Sequence, residues 1–437
     1  METKLARIAR IARERPKERF ISLVHHINVE SLAASHRKMA AGKAAGVDGV
    51  TKAAYEENLE RNLNALVERM KRQAYKPQPV RRSYIPKPGT DKKRPLGIPS
   101  YEDKLVQDVM ARILNAIYEA DFLDCSYGFR PGRGCHDALR ELGRLIETRK
   151  VNYIVDADIK GFFDHVDHEW LLKFLRLRIG DPNMIRLIAR FLKAGVMEAG
   201  IVYDTPEGTP QGGVVSPILA NVYLHYVLDL WFERRIRRQS KGEAYLIRYA
   251  DDFVCCFEYE EDAKAFHAAL TERLKEFNLE IAEEKTRIIA FGRHAEEESR
   301  RKGGRKPETF DFLGFTHYCG KSRQGNFRVK RRTSRKKYRA SLRRCKEWLR
   351  KNRCRPVGEL MQALSRKMAG YYRYYGVTDN IRMLANFHHQ VKRLLYKWLN
   401  RRSQKRSFNW ERFENEFLGR LPLPRPRIYV NLYERTA

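Results

Sequence analysis

RYADDFVCCF, residues 248–257, decides how the rest of this chain is read. An acidic pair, Asp251-Asp252, stands between two β-rich runs at 245–249 and 253–259. A turn that served structure alone would favour Asn-Gly or Asp-Gly, which reach positive φ at little cost. A further acid, Asp158, ends a second apolar run, VNYIVDADI at 151–159, which reads as a buried strand. If the two strands are neighbours in one sheet, the three carboxylates converge at one edge.

Around these acids the elements alternate. HEWLLKFLRLRI has helical spacing, with Asp167 as its N-cap. TPQGGVVSPILANVYLHYVLDLWF at 209–232 is a glycine-rich loop feeding a helix, with Ser216 at the cap and Pro217 first inside. Residues 260–277 form an amphipathic helix whose inner face carries Ala263, Phe266, Leu270, Leu274 and Phe277. Residues 286–291 and 310–318 are strands. The order strand, helix, hairpin, helix, strand predicts an α+β fold with a ferredoxin-like sheet. Upstream, RRSYIPKPGTDKKRPLGIPS at 81–100 predicts a β-hairpin with a basic tip. Helical patterns fill 101–150, broken by the loop SYGFRPGRGC at 126–135, and the first twenty residues pattern as a basic amphipathic helix.

A chain of 437 residues predicts two or three domains, and 43% hydrophobic content excludes wholesale disorder. Its 87 Lys+Arg against 54 Asp+Glu leave a net charge of +33, which points to a polyanion, nucleic acid before others. The charge is concentrated at 321–356, where seventeen Lys/Arg face one acid, Glu347. Such an excess cannot be offset locally, and Tyr338 and Trp348 are interleaved where they can stack on exposed bases. The change of composition near Gly320 suggests a domain boundary. The seven cysteines (125, 135, 255, 256, 319, 345, 354) form no CxxC pair and no zinc spacing, so they read as reduced thiols of a cytoplasmic protein. No apolar run approaches the ~20 residues that span a bilayer, so a membrane is not expected as a partner.

Carboxylates at a sheet edge suit phosphoryl transfer, which needs divalent metals to neutralise charge and align oxygens in line. Mg²⁺ takes hard oxygen ligands and keeps several waters, so two or three Asp suffice. The motifs then become specific together. Tyr249-Ala250-Asp251-Asp252 resembles the YxDD box of reverse transcriptases. DIKGFFDHVDH from Asp158 resembles their first palm motif, and PQGGVVSPILAN from Pro210 their QGxxxSP block. IPKPGTDKKRPLGIP, SYGFRPGRG, Glu284-Lys285-Thr286 and FDFLGF at 310–315 are similar to the remaining blocks, in the family's order over about 40–318. Within the family the resemblance is to bacterial group II intron reverse transcriptases, or maturases. GYYRYYGVTDN and RLLYKWLNRRSQKR look like their maturase-specific thumb.

The resemblance implies a right-hand polymerase. Residues 1–100 would be an N-terminal extension and fingers. Residues 101–320 would be a palm with interleaved fingers helices at about 168–206, and 321–437 a helical thumb with a basic tail. Two Mg²⁺ would sit on Asp158, the Ile159 carbonyl, Asp251 and Asp252, the last the least direct ligand. Phe163 would be the steric gate against a ribose 2′-OH. Lys87 and Arg94 would clamp the triphosphate, Gln211 would contact template and sugar, and Lys285 would protonate pyrophosphate. For RNA the expected contacts are Arg331, Arg332, Arg335, Lys336, Lys337, Arg343 and Arg344. Tyr371, Tyr372, Tyr374 and Tyr375 read equally well as thumb packing.

The implied activity is copying RNA into DNA from deoxynucleoside triphosphates on a DNA or RNA primer, with binding of intron RNA to assist splicing. The sequence lacks the cysteine pairs of the family's nuclease extension, so second-strand cleavage is not expected. Two alternatives stay open: a host-domesticated reverse transcriptase in phage defence or repair, and a non-catalytic RNA-binding splicing factor.

Overall fold

A computed structural model describes residues 2–86, 93–209, 212–301, 303, 304, 306–402 and 407–433. The expected sites Lys87 and Gln211 lie outside the described residues, as does the tip of the 81–100 hairpin. Two compact units emerge. One draws on 2–86, 93–138 and 155–288, the other on 139–154 and the described residues from 289 onward.

The first unit is built around the helix Tyr101–Tyr118. Ser100 caps it by accepting from the Asp103 amide at 3.3 Å, and Leu105, Val106, Val109, Met110, Ile113, Leu114 and Ile117 are all buried. Strands β1 (Val80–Pro86) and β2 (Lys93–Ile98) pair antiparallel, with Ile85 opposite Arg94, as the hairpin pattern predicts. β3 (Tyr153–Ala157) is the strand leading to Asp158. β4 (Val196–Glu198) and β5 (Ile201–Tyr203) extend the hairpin into a sheet of order β2-β1-β4-β5.

β6 (Ala244–Tyr249) and β7 (Asp252–Phe257) pair antiparallel, with Tyr249 opposite Asp252. Together with β8 (Arg287–Ala290) they form a sheet of order β6-β7-β3-β8. The hairpin therefore lies directly beside the Asp158 strand, the neighbourhood on which convergence of the carboxylates depends. The helix Glu260–Glu276 covers this sheet with Ala263, Phe266, Leu270 and Leu274, the face that its spacing predicts. Asp167 caps His168–Arg176 by accepting from the Trp170 amide at 2.8 Å. One cap differs from expectation. The helix Ser216–Leu224 begins at Ser216 itself, with Val215 in the cap position and no side-chain cap bond.

The second unit contains a three-stranded antiparallel sheet of β9 (Phe310–Phe312), β10 (Phe315–Lys321) and β11 (Phe327–Thr333), followed by the helices Arg335–Asn352, Val357–Tyr375 and Ile381–Leu399. Gly320, where the composition changes, sits inside β10 opposite Arg328. The compact unit takes in both flanks of that position and begins its long segment at Ile289 instead. Charge density marks where a surface turns basic, not where a core ends.

Candidate active site

The acidic turn is short. With Tyr249 opposite Asp252, only Ala250 and Asp251 bridge β6 to β7, and Ala250 takes a left-handed φ of 58°. A non-glycine residue there costs on the order of 1–2 kcal/mol, so the surroundings must hold it. Two neighbours do so. The loop 126–129 lies against the turn, with the Tyr127 amide donating to the Arg248 carbonyl at 2.9 Å and the Arg248 amide to the Cys125 carbonyl at 2.8 Å. Gly128 is packed so closely that a Cβ there would stand 2.3 Å from the Ala250 nitrogen.

The second support is Arg248, whose side chain is fully buried. Its guanidinium meets Asp229 in a two-pronged ion pair at 2.6 and 2.5 Å. It also donates to Asn221 Oδ1 and the Ala250 carbonyl, both at 3.0 Å, and to Ser126 Oγ at 2.8 Å. Burial opposes its charge, but the Asp229 carboxylate more than offsets that and holds the guanidinium above the ordinary arginine range. Asp229 ends a π-turn at His225–Asp229, a wider turn of the sort often found at functional sites.

Asp158 is half-buried, and its Oδ2 accepts from Lys285 Nζ at 2.5 Å. That bond raises the Lys285 ammonium above its usual range, with the charges of Asp158, Glu284 and Asp252 adding to it against partial burial. Burial holds the Asp251 carboxyl above the usual carboxylate range. Its own backbone hydrogen bond works against this, the charge of Asp158 adds to it, and those of Arg94 and Arg248 oppose it. Asp158, Asp251, Asp252, Lys285 and Arg94 thus share one electrostatic neighbourhood. Among the described residues, no group of three His, Cys, Asp or Glu side chains stands ready-made at metal-binding geometry. The backbone around Ile159 is fixed by two bonds of 2.8 Å, Ala282 amide to Asp158 carbonyl and Lys160 amide to Glu280 carbonyl.

Phe163 is half-buried and lines a cavity of about 370 Å³ together with Arg82, Leu96, Gly97, Asp164 and Thr209. The Thr209 amide donates to the Phe163 carbonyl at 2.8 Å. Gly212, in the PQGG segment, lies against protein backbone, where a Cβ would stand 2.6 Å from the Gly97 carbonyl oxygen. Gln107 Oε1 accepts from the Val214 amide at 2.8 Å and anchors the end of that segment.

In the second unit Arg332, Arg335, Lys336, Lys337, Arg343 and Arg344 are exposed. Arg331 is corrected. It is 1% exposed, its Nη2 donates to the Leu139 carbonyl at 2.8 Å, and burial pushes its pKa down. It is a core residue and is withdrawn from the set of surface cations. The tyrosines at 371–375 take the packing role. Tyr371 stacks on Phe387 at 3.7 Å, Tyr372 and Tyr375 are buried, and Tyr374 donates to the Leu313 carbonyl at 2.8 Å.

Sequence reasoning missed Arg248, Asp229, Asn221 and Gly128 as site residues. The signal for Arg248 and Asp229 was present: a charged residue inside a β-run, and another inside an apolar helical run, are buried only as partners.

An acidic hairpin beside a strand-end aspartate, with cations at the same edge, is the architecture of a nucleic-acid polymerase. The profile described as "Reverse transcriptase (RNA-dependent DNA polymerase)" matches residues 85–317, and the chain belongs to that family. A second profile, "Group II intron, maturase-specific domain", matches 338–414. The group II intron-encoded protein LtrA of Lactococcus lactis subsp. cremoris is 40% identical over 231 residues, 52% of this chain and 38% of LtrA. The protein YkfC of Escherichia coli (strain K12) is 38% identical over 238 residues, 48% of this chain and 62% of that protein. The chain therefore matches less than two thirds of either relative's length.

Proposed function

We propose that this chain is an RNA-directed DNA polymerase of group II intron type, which also binds intron RNA to assist splicing. The observation that carries the reading is the convergence of Asp158 with Asp251-Asp252 across neighbouring strands. The second profile, over 338–414, favours the intron type over a host-domesticated enzyme. In this reading 1–100 and the helices at about 168–206 are fingers, the rest of 101–320 is palm, and 321–437 is thumb.

The donor set fits Mg²⁺. Three carboxylates and the Ile159 carbonyl are hard oxygen ligands, and the mutual repulsion of Asp158 and Asp251 is what a divalent cation relieves. Two ions held there would neutralise phosphate charge and align the reacting oxygens. Lys285 holds Asp158 when no cation does, and as an ammonium it has a proton to give to departing pyrophosphate. Lys87 and Arg94 grip the triphosphate of an incoming deoxynucleotide, and Phe163 stands under its sugar. Gln211 contacts template. Arg332, Arg335, Lys336, Lys337, Arg343 and Arg344 neutralise RNA phosphates. The setting is the cytoplasm.

The test is Asp251→Asn in primer extension on an RNA template. Losing one charged ligand from a charge-neutralising site should cut the rate by at least about a thousandfold while RNA binding persists. Extension near the wild-type rate would refute the assignment.

A further inference from the structure

Arg248 reaches the acidic turn as a fully buried side chain, in company with the buried polar groups Ser126, Asn221 and Asp229. Its five donor sites are disposed with little redundancy. The Asp229 pair takes Nε and Nη2, Nη2 also reaches Ser126 Oγ, and Nη1 is shared by Asn221 and the Ala250 carbonyl. Asn221 in turn donates from Nδ2 to the Gly128 carbonyl at 2.7 Å. One guanidinium therefore ties the strained Ala250 peptide, the 126–128 loop and the helix after the PQGG segment into one rigid block. Arginine suits this because its planar fork fixes several acceptors at once, which a lysine cannot do.

A buried cation on β6, three residues before Asp251, has a second consequence. Unbalanced, it would repel any divalent ion brought to Asp251. Asp229, fully buried and paired at both oxygens, cancels that charge locally. We propose that Arg248 is a positioning residue that fixes the Asp251 turn, and that Asp229 is the counter-charge that lets it do so without weakening the cation site. This rests on the polymerase reading above.

The experiment uses the full chain, folding checked by circular dichroism, with two readouts: Mn²⁺ affinity by electron paramagnetic resonance, and kcat and KM for one deoxynucleotide addition on RNA. Asp229→Asn keeps the shape and removes the counter-charge. Mn²⁺ affinity should fall about tenfold, the scale of a unit charge acting through protein, and excess metal should restore much of the rate. Arg248→Gln/Asp229→Asn removes both charges and the brace. Mn²⁺ affinity should return to within about threefold of wild type, while kcat stays down by at least about tenfold with KM little changed. A pair that merely stabilised the fold would move neither the metal affinity in opposite directions nor kcat apart from KM.

Wild-type Mn²⁺ affinity in Asp229→Asn, or wild-type kcat in the double variant, overturns the proposal. Should the double variant not fold, Asn221→Ala removes one of the fork's acceptors without touching charge. It should lower kcat by about threefold or more at unchanged Mn²⁺ affinity, and a wild-type kcat there overturns the bracing role. Asp251→Asn is run alongside. If it still extends primers, the polymerase reading itself has failed. If it is dead while the Arg248 and Asp229 variants behave as wild type, only the positioning role has.

Discussion

Gly128→Ala adds one methyl group at a position that itself carries no acid, base or metal ligand, yet the structure gives it a large effect on catalysis. The new Cβ would lie 2.3 Å from the Ala250 nitrogen and 3.0 Å from the Tyr249 carbonyl carbon. Ordinary contact begins near 3.4 Å, so loop and turn must separate by roughly 1.1 Å. Both clashing atoms are backbone, so no side chain can rotate away. The loop is itself held by the Tyr127 and Arg248 amides, and the Gly128 carbonyl by Asn221, so the strain falls on the Asp251 turn. Overpacking of this kind costs about 1–3 kcal/mol of stability. A displacement of about 1 Å at reacting groups costs on the order of a hundredfold in rate. Single-nucleotide addition under saturating substrate should therefore slow by about two orders of magnitude. RNA affinity, measured by filter binding, should stay within about threefold, since phosphate contacts dominate it and the substitution removes no charge. A folded Gly128→Ala protein that extends primers at the wild-type rate would refute the claim that loop contact positions the acids.

Phe163→Val removes the ring beside the 370 Å³ cavity, and ribonucleotide incorporation should rise at least about tenfold relative to deoxynucleotide, read by gel extension with each triphosphate. Unchanged discrimination would make Phe163 a packing residue. Replacing Arg335, Lys336, Lys337, Arg343 and Arg344 by Ala should flatten the log K against log salt slope for RNA by roughly 0.7–0.9 per lost contact, with primer extension retained at saturating substrate. Arg331→Ala should leave that slope alone and lower stability instead, which denaturation separates from binding. Burial pushes His225 down to about 4, so below about 6.5 the unfolded chain takes up a proton that the folded one refuses. Stability should fall by up to roughly 3 kcal/mol between pH 6.5 and 4 from this group, and His225→Leu should show a shallower decline in urea titrations across that range.

The sheet that carries the acidic hairpin was legible because its evidence is periodic and local. The Glu260–Glu276 inner face and the Asp167 cap follow from spacing that survives folding unchanged, whereas strand lengths do not: the run expected as one strand at 310–318 breaks at Leu313-Gly314 into β9 and β10, which pair antiparallel. The order β6-β7-β3-β8 needed the additional step of assigning partners, and the βαββαβ succession supplied it. The change of composition near Gly320 does not coincide with a limit of the compact units, for a different reason. Composition reports what a surface meets, whereas a compact unit is set by which apolar faces close on each other, and β10 continues through Gly320 to pair with β11.

Arg331 shows where a charge count stops being informative and what replaces it. In FRVKRRT, residues 327–333, side chains alternate between faces, so Arg331 shares its side with Val329 and Thr333, while Arg328, Lys330 and Arg332 share the other. The buried positions are 329, 331 and 333. Reading the segment as a charge run assigned all its cations to one solvent-facing surface; reading it as a strand would have put Arg331 inside and asked for its acceptor, the Leu139 carbonyl. Arg248 follows the same rule one level deeper. In AYLIRY the alternation places it on a face with Leu246, and a buried guanidinium there requires a carboxylate from elsewhere. No local pattern specifies that the carboxylate is Asp229, because the partner arrives through tertiary packing of a helix nineteen residues upstream. Sequence therefore yields the motif acids, which stand in a readable order, more readily than the buried pair beside their turn, whose two halves carry meaning only when the fold brings them together.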